Sequence, residues 1–162
     1  MVRRVMVLLL LLVMALSLTV PTLAQDGAIV EGLLNPRNLS FDDMGNLYIA
    51  EAGIAGAQMT AEDVAYGATS RISQVSPDGQ LSVVVQGIIS YREGNALGAH
   101  AVQVTGDSIW FLIGETSDFT IPFTHALVEV DKETGRVKTF VDLLTLELEE
   151  DPDGNANQQS NP

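Results

Sequence analysis

Leu39-Ser40-Phe41-Asp42-Asp43-Met44-Gly45-Asn46-Leu47-Tyr48-Ile49-Ala50-Glu51 is two short apolar runs set either side of a polar turn. Leu39 and Phe41 flank Ser40, so in an extended segment both point to one face. Residues 42–46 bring turn formers, glycine among them, and residues 47–51 return as a second strand. The pattern continues outward from this hairpin. Arg71-Ile72-Ser73-Gln74-Val75 reads as a third strand and residues 81–85 as a fourth. Between them Ser76-Pro77-Asp78-Gly79 is a turn, because proline presets φ and glycine accepts positive φ. Four antiparallel strands then make one compact sheet.

The unit recurs. Val102-Gln103-Val104 stands where Leu39-Ser40-Phe41 stood, and Thr105-Gly106-Asp107 repeats the tight turn. Ile109-Trp110-Phe111-Leu112 repeats Leu47-Tyr48-Ile49-Ala50, with an aromatic second in each. Residues 126–130 repeat 71–75, the turn Asp131-Lys132-Glu133-Thr134-Gly135 repeats Pro77-Asp78-Gly79, and residues 137–141 repeat 81–85. The spacing from Leu39 to Val102 is 63 residues, and from Asn35-Pro36 to Asn161-Pro162 it is 126, twice that. A four-stranded sheet at fixed period is the signature of β-propeller blades. The long loops at 52–70 and 114–125 stretch the period beyond the usual ~40–50 residues. The expectation is an all-β partial propeller of two four-stranded antiparallel blades, behind a signal-peptide helix. Its divisions are a signal peptide at 1–24, a lead-in at 25–38, blades at 39–86 and 87–142, and an acidic linker at 143–162. Propellers close with ~4–8 blades, so two leave sheet faces and edges uncovered. A fragment of a longer ring is the expected context, and three copies making six blades is the alternative.

Composition narrows the function classes. The 162 residues include 21 acidic and 8 basic side chains, two histidines and no cysteine. Of the first 24 residues 18 are apolar; setting these aside leaves 6 basic against 21 acidic groups, a net charge of −15. Phosphate backbones and anionic lipid surfaces repel such a chain, which excludes nucleic-acid partners and, for the mature form, membranes. Without cysteine there is no disulfide framework, thiolate metal site or thiol nucleophile. Arg3 and Arg4, the unbroken apolar run at 5–16 and the small residues of Thr22-Leu23-Ala24 spell a secretory signal, cleaved between Ala24 and Gln25. A secreted or periplasmic location follows.

The run Gly32-Leu33-Leu34-Asn35-Pro36-Arg37-Asn38-Leu39-Ser40-Phe41, followed by Gly45-Asn46-Leu47-Tyr48-Ile49-Ala50-Glu51-Ala52-Gly53, resembles the opening blade of ScyD/ScyE family proteins. These are secreted propellers related to NHL repeats. The similarity continues through Tyr66-Gly67-Ala68-Thr69-Ser70-Arg71-Ile72, Gly98-Ala99-His100-Ala101-Val102 and Asp151-Pro152-Asp153-Gly154 into Ser160-Asn161-Pro162. The resemblance implies a six-bladed propeller about twice this length, continuing past that last asparagine-proline, and no settled reaction. Gly87-Ile88-Ile89-Ser90 departs from the leucine-proline-serine more usual there, and the cysteines of some relatives are missing.

In a blade, entry to the first strand and exit from the second lie on one rim. That rule gathers Arg37, Asn38, Glu51, His100 and Glu115 beside both long loops as channel-rim ligand candidates, since loops on rigid scaffolds carry binding surfaces. Arg37 and Glu51, at opposite ends of one hairpin, are expected to pair and tidy the blade edge. His100, equivalent to Arg37, reads more readily as a satisfied hydrogen-bonding group than as a base. Trp110, like Tyr48, is expected to pack between blades. Asp151-Pro152-Asp153-Gly154-Asn155-Ala156-Asn157 is a poor calcium loop, lacking the glycine and distal glutamate. Asn38-Leu39-Ser40 is a glycosylation sequon that an inner strand would hinder. Glutamates 147, 149 and 150 read as a solvated helical turn or loop. No nucleophile elbow, Walker loop or His-Glu-x-x-His helix occurs.

The favoured reading is thus a secreted non-catalytic binding or scaffold propeller for a small molecule, glycan or protein, with no cofactor and with self-association through open blade edges. The alternative is part of a metal-dependent hydrolase or lactonase-type six-bladed propeller, with a divalent cation such as calcium in its channel and Glu51 as its visible ligand.

Overall fold

A computed structural model of the chain describes residues 29–114 and 116–150. Among them run β1 (Pro36–Phe41), β2 (Leu47–Glu51), β3 (Gln58–Met59), β4 (Ala65–Val75), β5 (Leu81–Glu93), β6 (Asn95–Leu97), β7 (Ala99–Thr105), β8 (Ser108–Ile113), β9 (Ala126–Asp131), β10 (Val137–Asp142) and α1 (Leu143–Glu150). One antiparallel sheet is ordered β1-β2-β4-β5, with β6 beyond β5 and β3 paired to β4; the other is ordered β7-β8-β9-β10. The fold is all-β and partial-propeller-like, with the expected four strands in the second sheet and six in the first, where the short β3 and β6 add to the expected β1-β2-β4-β5.

Each of the eight strands read from the sequence falls inside one of the strands of these two ladders. Two extents differ. β4 begins at Ala65, inside the expected loop. β5 runs on to Glu93, so residues 87–97, expected to open the second blade, lie in the first sheet. Gly87 has a φ of +77°. It does not end the strand, because Gln86 and Gly87 stand together opposite Arg71 in a bulge. Beyond the bulge Ile88, Ser90 and Tyr91 are buried, and that burial carries the strand forward. The expected signal peptide with its Ala24–Gln25 cleavage, and residues 151–162 of the linker, lie outside the described residues. Residues 143–150 of that linker are α1, whose amino end is capped by Asp142 Oδ1 accepting from Thr145 N at 3.0 Å. Glu147 is buried on α1 rather than solvated. None of the helices in the described residues is long and apolar enough to cross a membrane.

The core lies between the sheets. Tyr48, Ala50 and Ile72 alternate inward on the first sheet and meet Val102, Val104, Ile109, Phe111, Val128 and Val130 from the second. Side chains of β1 complete the seam: Asn38 Oδ1 accepts from Val102 N at 3.0 Å, and Ser40 Oγ from Val104 N at 3.4 Å. Two N–H groups on the free edge of β7 are thus satisfied without a strand partner. The residues between these inward positions face away. On the first sheet they are Leu39, Phe41, Leu47, Ile49 and Val83, in mutual or shared register. On the second they are Gln103, Trp110, Leu112, Leu127 and Glu129.

Candidate functional site

The two ends of the sheets are built differently. One end carries tight turns at 42–46, 76–80, 106–107 and 132–136; the other carries the long loops at 52–64 and 114–125 and α1. The first loop is clamped to the sheet. A Cβ added to Gly56 would sit 2.5 Å from Tyr66 O and 2.8 Å from Gly67 Cα, so backbone lies directly on backbone there. Buried Ser90 donates to Ala52 O at 2.6 Å and accepts from Ala55 N at 2.8 Å. Buried Ser70 donates to Glu51 O at 2.7 Å and accepts from Ala99 N at 2.8 Å, tying the exit of β2 to the entry of β7.

On this loop-bearing rim each sheet holds one irregularity at the same place. The β1–β2 ladder slips between Pro36 and Asn38, and the β7–β8 ladder between Ala99 and Ala101. The residues left out of the pairing are Arg37 and His100, 63 positions apart and both exposed. A bulge re-aims the side chain that it extrudes, and bulges are enriched beside functional sites. Arg37 donates through a guanidinium nitrogen to Ala96 O, on the strand that leads into β7. Asn38, exposed at its side, is committed to Val102 N, so the sequon asparagine serves the seam between the sheets. Arg37 and Asn38 also line one end of an otherwise apolar groove of about 450 Å³, with Ile29, Leu33, Leu39 and Ile49.

Glu51 is placed otherwise than expected. It is fully buried and pairs with Arg71, not Arg37. Register decides this: Arg71 stands directly opposite Glu51 on β4, whereas the bulge lifts Arg37 out of line. Arg71 reaches Oε1 through Nε and Oε2 through a terminal nitrogen, both at 2.9 Å. Ser73 Oγ donates to Oε1 and Leu34 N to Oε2. Arg71 also donates to Gly32 O at 2.9 Å, and Ala52 N and Gly53 N bond Asn35 O and Leu34 O at 3.0 Å. The carboxylate therefore fastens the lead-in to the sheet, and its oxygens face donors on every side, an arrangement that suits no cation. Among the described residues no group of three or more acidic, histidine or cysteine side chains is placed to hold a metal ion. Glu115 lies outside the described residues. Trp110 is half-buried on the outward face of the second sheet, whereas Tyr48 is sealed at 1% exposure between the sheets.

Other groups at the rim carry little local sequence signal. Glu93, at the end of β5, accepts from Thr116 Oγ1 and from Ser117 N at 3.1 Å, anchoring the second loop to the first sheet. Asp118 Oδ1 accepts from Thr120 Oγ1 at 2.6 Å and Thr120 N at 3.0 Å. The Thr120 hydroxyl, then the Thr60 hydroxyl from the first loop, hold the Asp118 carboxyl below its ordinary range against the opposing effect of burial. The Thr116-x-Asp118-x-Thr120 spacing, a side-chain-capped turn, is the one cue available beforehand.

At the opposite end Lys132, in the β9–β10 turn, crosses to Asp42 Oδ2 at 2.8 Å, its ammonium 5.8 Å from the centre of the Tyr48 ring. Burial pushes the Asp42 carboxyl up, but Lys132, the Asn46 amide and the N–H groups of Asn46 and Met44 outweigh it and hold it well below the carboxylate range. The Asp42 partner in turn raises Lys132.

No protein-family model and no curated protein matches the chain. Among solved structures, a chain in the crystal structure of a nidogen/laminin complex is similar at 14% identity with a TM-score of 0.26; the match covers 67% of this chain and 48% of that one. The match thus spans about half the length of that chain.

Proposed function

We propose that this chain is an exported, non-catalytic binding or scaffold module of the propeller type, resembling ScyD/ScyE proteins, whose two blades belong to a larger ring. Its rim engages a small molecule, glycan or protein. One observation carries the reading: paired bulges turn Arg37 and His100 out of their ladders at equivalent positions, on the end where rigidly held loops gather. In a chain this acidic, a guanidinium and an imidazole exposed on one rim favour an anionic or hydroxyl-rich ligand over a cationic one. The engagement of Glu51 by Arg71, Ser73 and Leu34 removes the ligand on which a metal-dependent hydrolase depended.

Titration with glucuronate, followed by NMR of the His100 ring and the Arg37 guanidinium, tests this. Both signals are expected to move together, and the Arg37→Gln/His100→Gln double variant to lose the response while keeping its fold. Calcium-dependent lactone hydrolysis that disappears in Glu51→Gln would overturn the proposal.

A further inference from the structure

We infer that Phe123, Phe140 and Asp142 form a notch that takes an arginine side chain from a basic segment of a partner protein. This site is separate from the rim pair. Arg37 and His100 belong to β1 and β7, whereas Phe140 is on β10, at the other edge of the second sheet.

Register builds the notch. Phe140 stands opposite Val128 and Asp142 opposite Ala126, and both of those partners belong to the core between the sheets. Phe140 and Asp142 therefore project, two positions apart, from the face of β10 that looks toward the first sheet. That face already has its neighbouring sheet, so the site does not depend on what covers the outward faces. Phe123 meets Phe140 edge to face, the rings at 89° with centroids 6.1 Å apart. The two residues are nonetheless 65% and 46% exposed. Phe123 is held there against its backbone preference, since its φ is +63°, a region that bulky side chains avoid. Its neighbours fix it. Thr124 and His125 are buried; His125 N donates to Gly114 O at 3.2 Å, and His125 O accepts from Leu143 N at 2.8 Å. Backbone strain that the surrounding structure maintains gathers at ligand sites.

The charge around the rings names the occupant. Asp142 is exposed, with one oxygen committed to the cap of α1. α1 begins at the next residue and carries three glutamates and no basic side chain. Lys138, two positions before Phe140, is drawn away to Asp107 and Asp131 at 3.3 and 3.5 Å. Arg136 lies in the β9–β10 turn, at the opposite end of the sheet. The notch thus joins two aromatic rings to a carboxylate. Ring faces are negative, so a guanidinium stacks on them while its N–H groups reach the carboxylate. An anionic partner would be repelled by Asp142, and a purely apolar one would gain nothing from it. The net charge of −15 after residue 24 steers a basic segment toward this surface.

Titration of the protein with a capped Gly-Arg-Gly tripeptide at physiological ionic strength, followed by NMR of the phenylalanine rings, is the test. The Phe123 and Phe140 signals are expected to shift and saturate, and the neutral citrulline analogue to leave them unmoved. Phe140→Leu keeps an apolar side chain without the ring and should weaken binding about threefold to fivefold. Phe123→Leu, at the more exposed ring, should give the same loss and serves if the first variant fails to fold. Asp142→Asn keeps the cap on α1, removes the charge and should also weaken binding. Equal binding of the citrulline analogue overturns the inference, since it would mean an apolar patch alone. So does arginine binding that neither ring substitution weakens, which would mean diffuse attraction to an acidic surface. A response to choline and none to the arginine peptide overturns the protein partner in favour of a quaternary ammonium ligand. The glucuronate response of Arg37 and His100 is read on other signals, so the rim reading stands or falls separately.

Discussion

The two sheets are copies in sequence and unequal in surroundings. Position for position, Tyr48 and Trp110 stand on the same rung of the same ladder, yet one is sealed and the other half-covered. Leu39 and Val102 reverse the relation, the first open and the second buried. For these four residues burial follows the cover on the face where each sits: the neighbouring sheet seals Tyr48 and Val102, whereas Trp110 and Leu39 face away from it. Blade modules exchange apolar faces, and each stabilises the next.

The comparison can be broken most forcefully at Phe111, buried in the shared core. Phe111→Ala should cost ~3–5 kcal/mol in chemical denaturation, because the hole opens on both sheets; a loss under half a kcal/mol would mean that the sheets do not depend on each other. Next in size is Glu51→Gln, which removes the charge opposing a partly buried guanidinium. A loss of about 3 kcal/mol is expected, at the low end for a buried pair because Arg71 keeps some access to water. Only the first sheet and its lead-in should loosen, read as faster amide exchange at Leu34 and Gly53.

The ion pair between Asp42 and Lys132 crosses from one sheet to the other and gives the comparison a pH axis. The folded pKa of Asp42 is depressed, so its contribution is whole above its ordinary 3.8 and drains away as pH falls below that toward the folded value. Lys132 is raised, so its contribution holds below its ordinary 10.5 and is lost as pH climbs past it. Lys132→Met should cost about 1–2 kcal/mol near neutrality. It should also flatten the acid limb of a plot of urea midpoint against pH; an unchanged slope would mean that Asp42 is held by Asn46 and the backbone alone. The smallest effect is a difference. Val102→Ala should cost ~2 kcal/mol and Leu39→Ala less than ~1 when the chain is kept dilute. Convergence of the two values at high concentration would show the open face acquiring a cover.

The ladders were legible because alternation and turn chemistry are local: Leu39-Ser40-Phe41 and Ser76-Pro77-Asp78-Gly79 carry their geometry within a few residues. The rim was legible only in outline. Arg37 and His100 were placed by the repeat, but the bulges that turn them out have no sequence mark of their own. Glu51 illustrates the limit: Pro36 and Arg71 both stand opposite it, and choosing its partner needs the register of three strands. Ser70, Ser90 and Glu93 act on residues 19 to 38 positions away, beyond any local pattern. The continuation of β5 past Gly87 was hidden for a related reason, since a glycine in a bulge looks like a glycine in a turn.

The side-chain caps on β7 have a consequence for biosynthesis. The N–H groups of Val102 and Val104 are quenched by Asn38 and Ser40, residues that leave the ribosome more than 60 positions earlier. The residues that mask this edge are therefore already synthesised when the second blade emerges, and they cover an edge that would otherwise recruit any passing strand. Order of synthesis and order of protection coincide, so a circular permutant that delivers the second blade first should aggregate during expression while reaching the same folded structure.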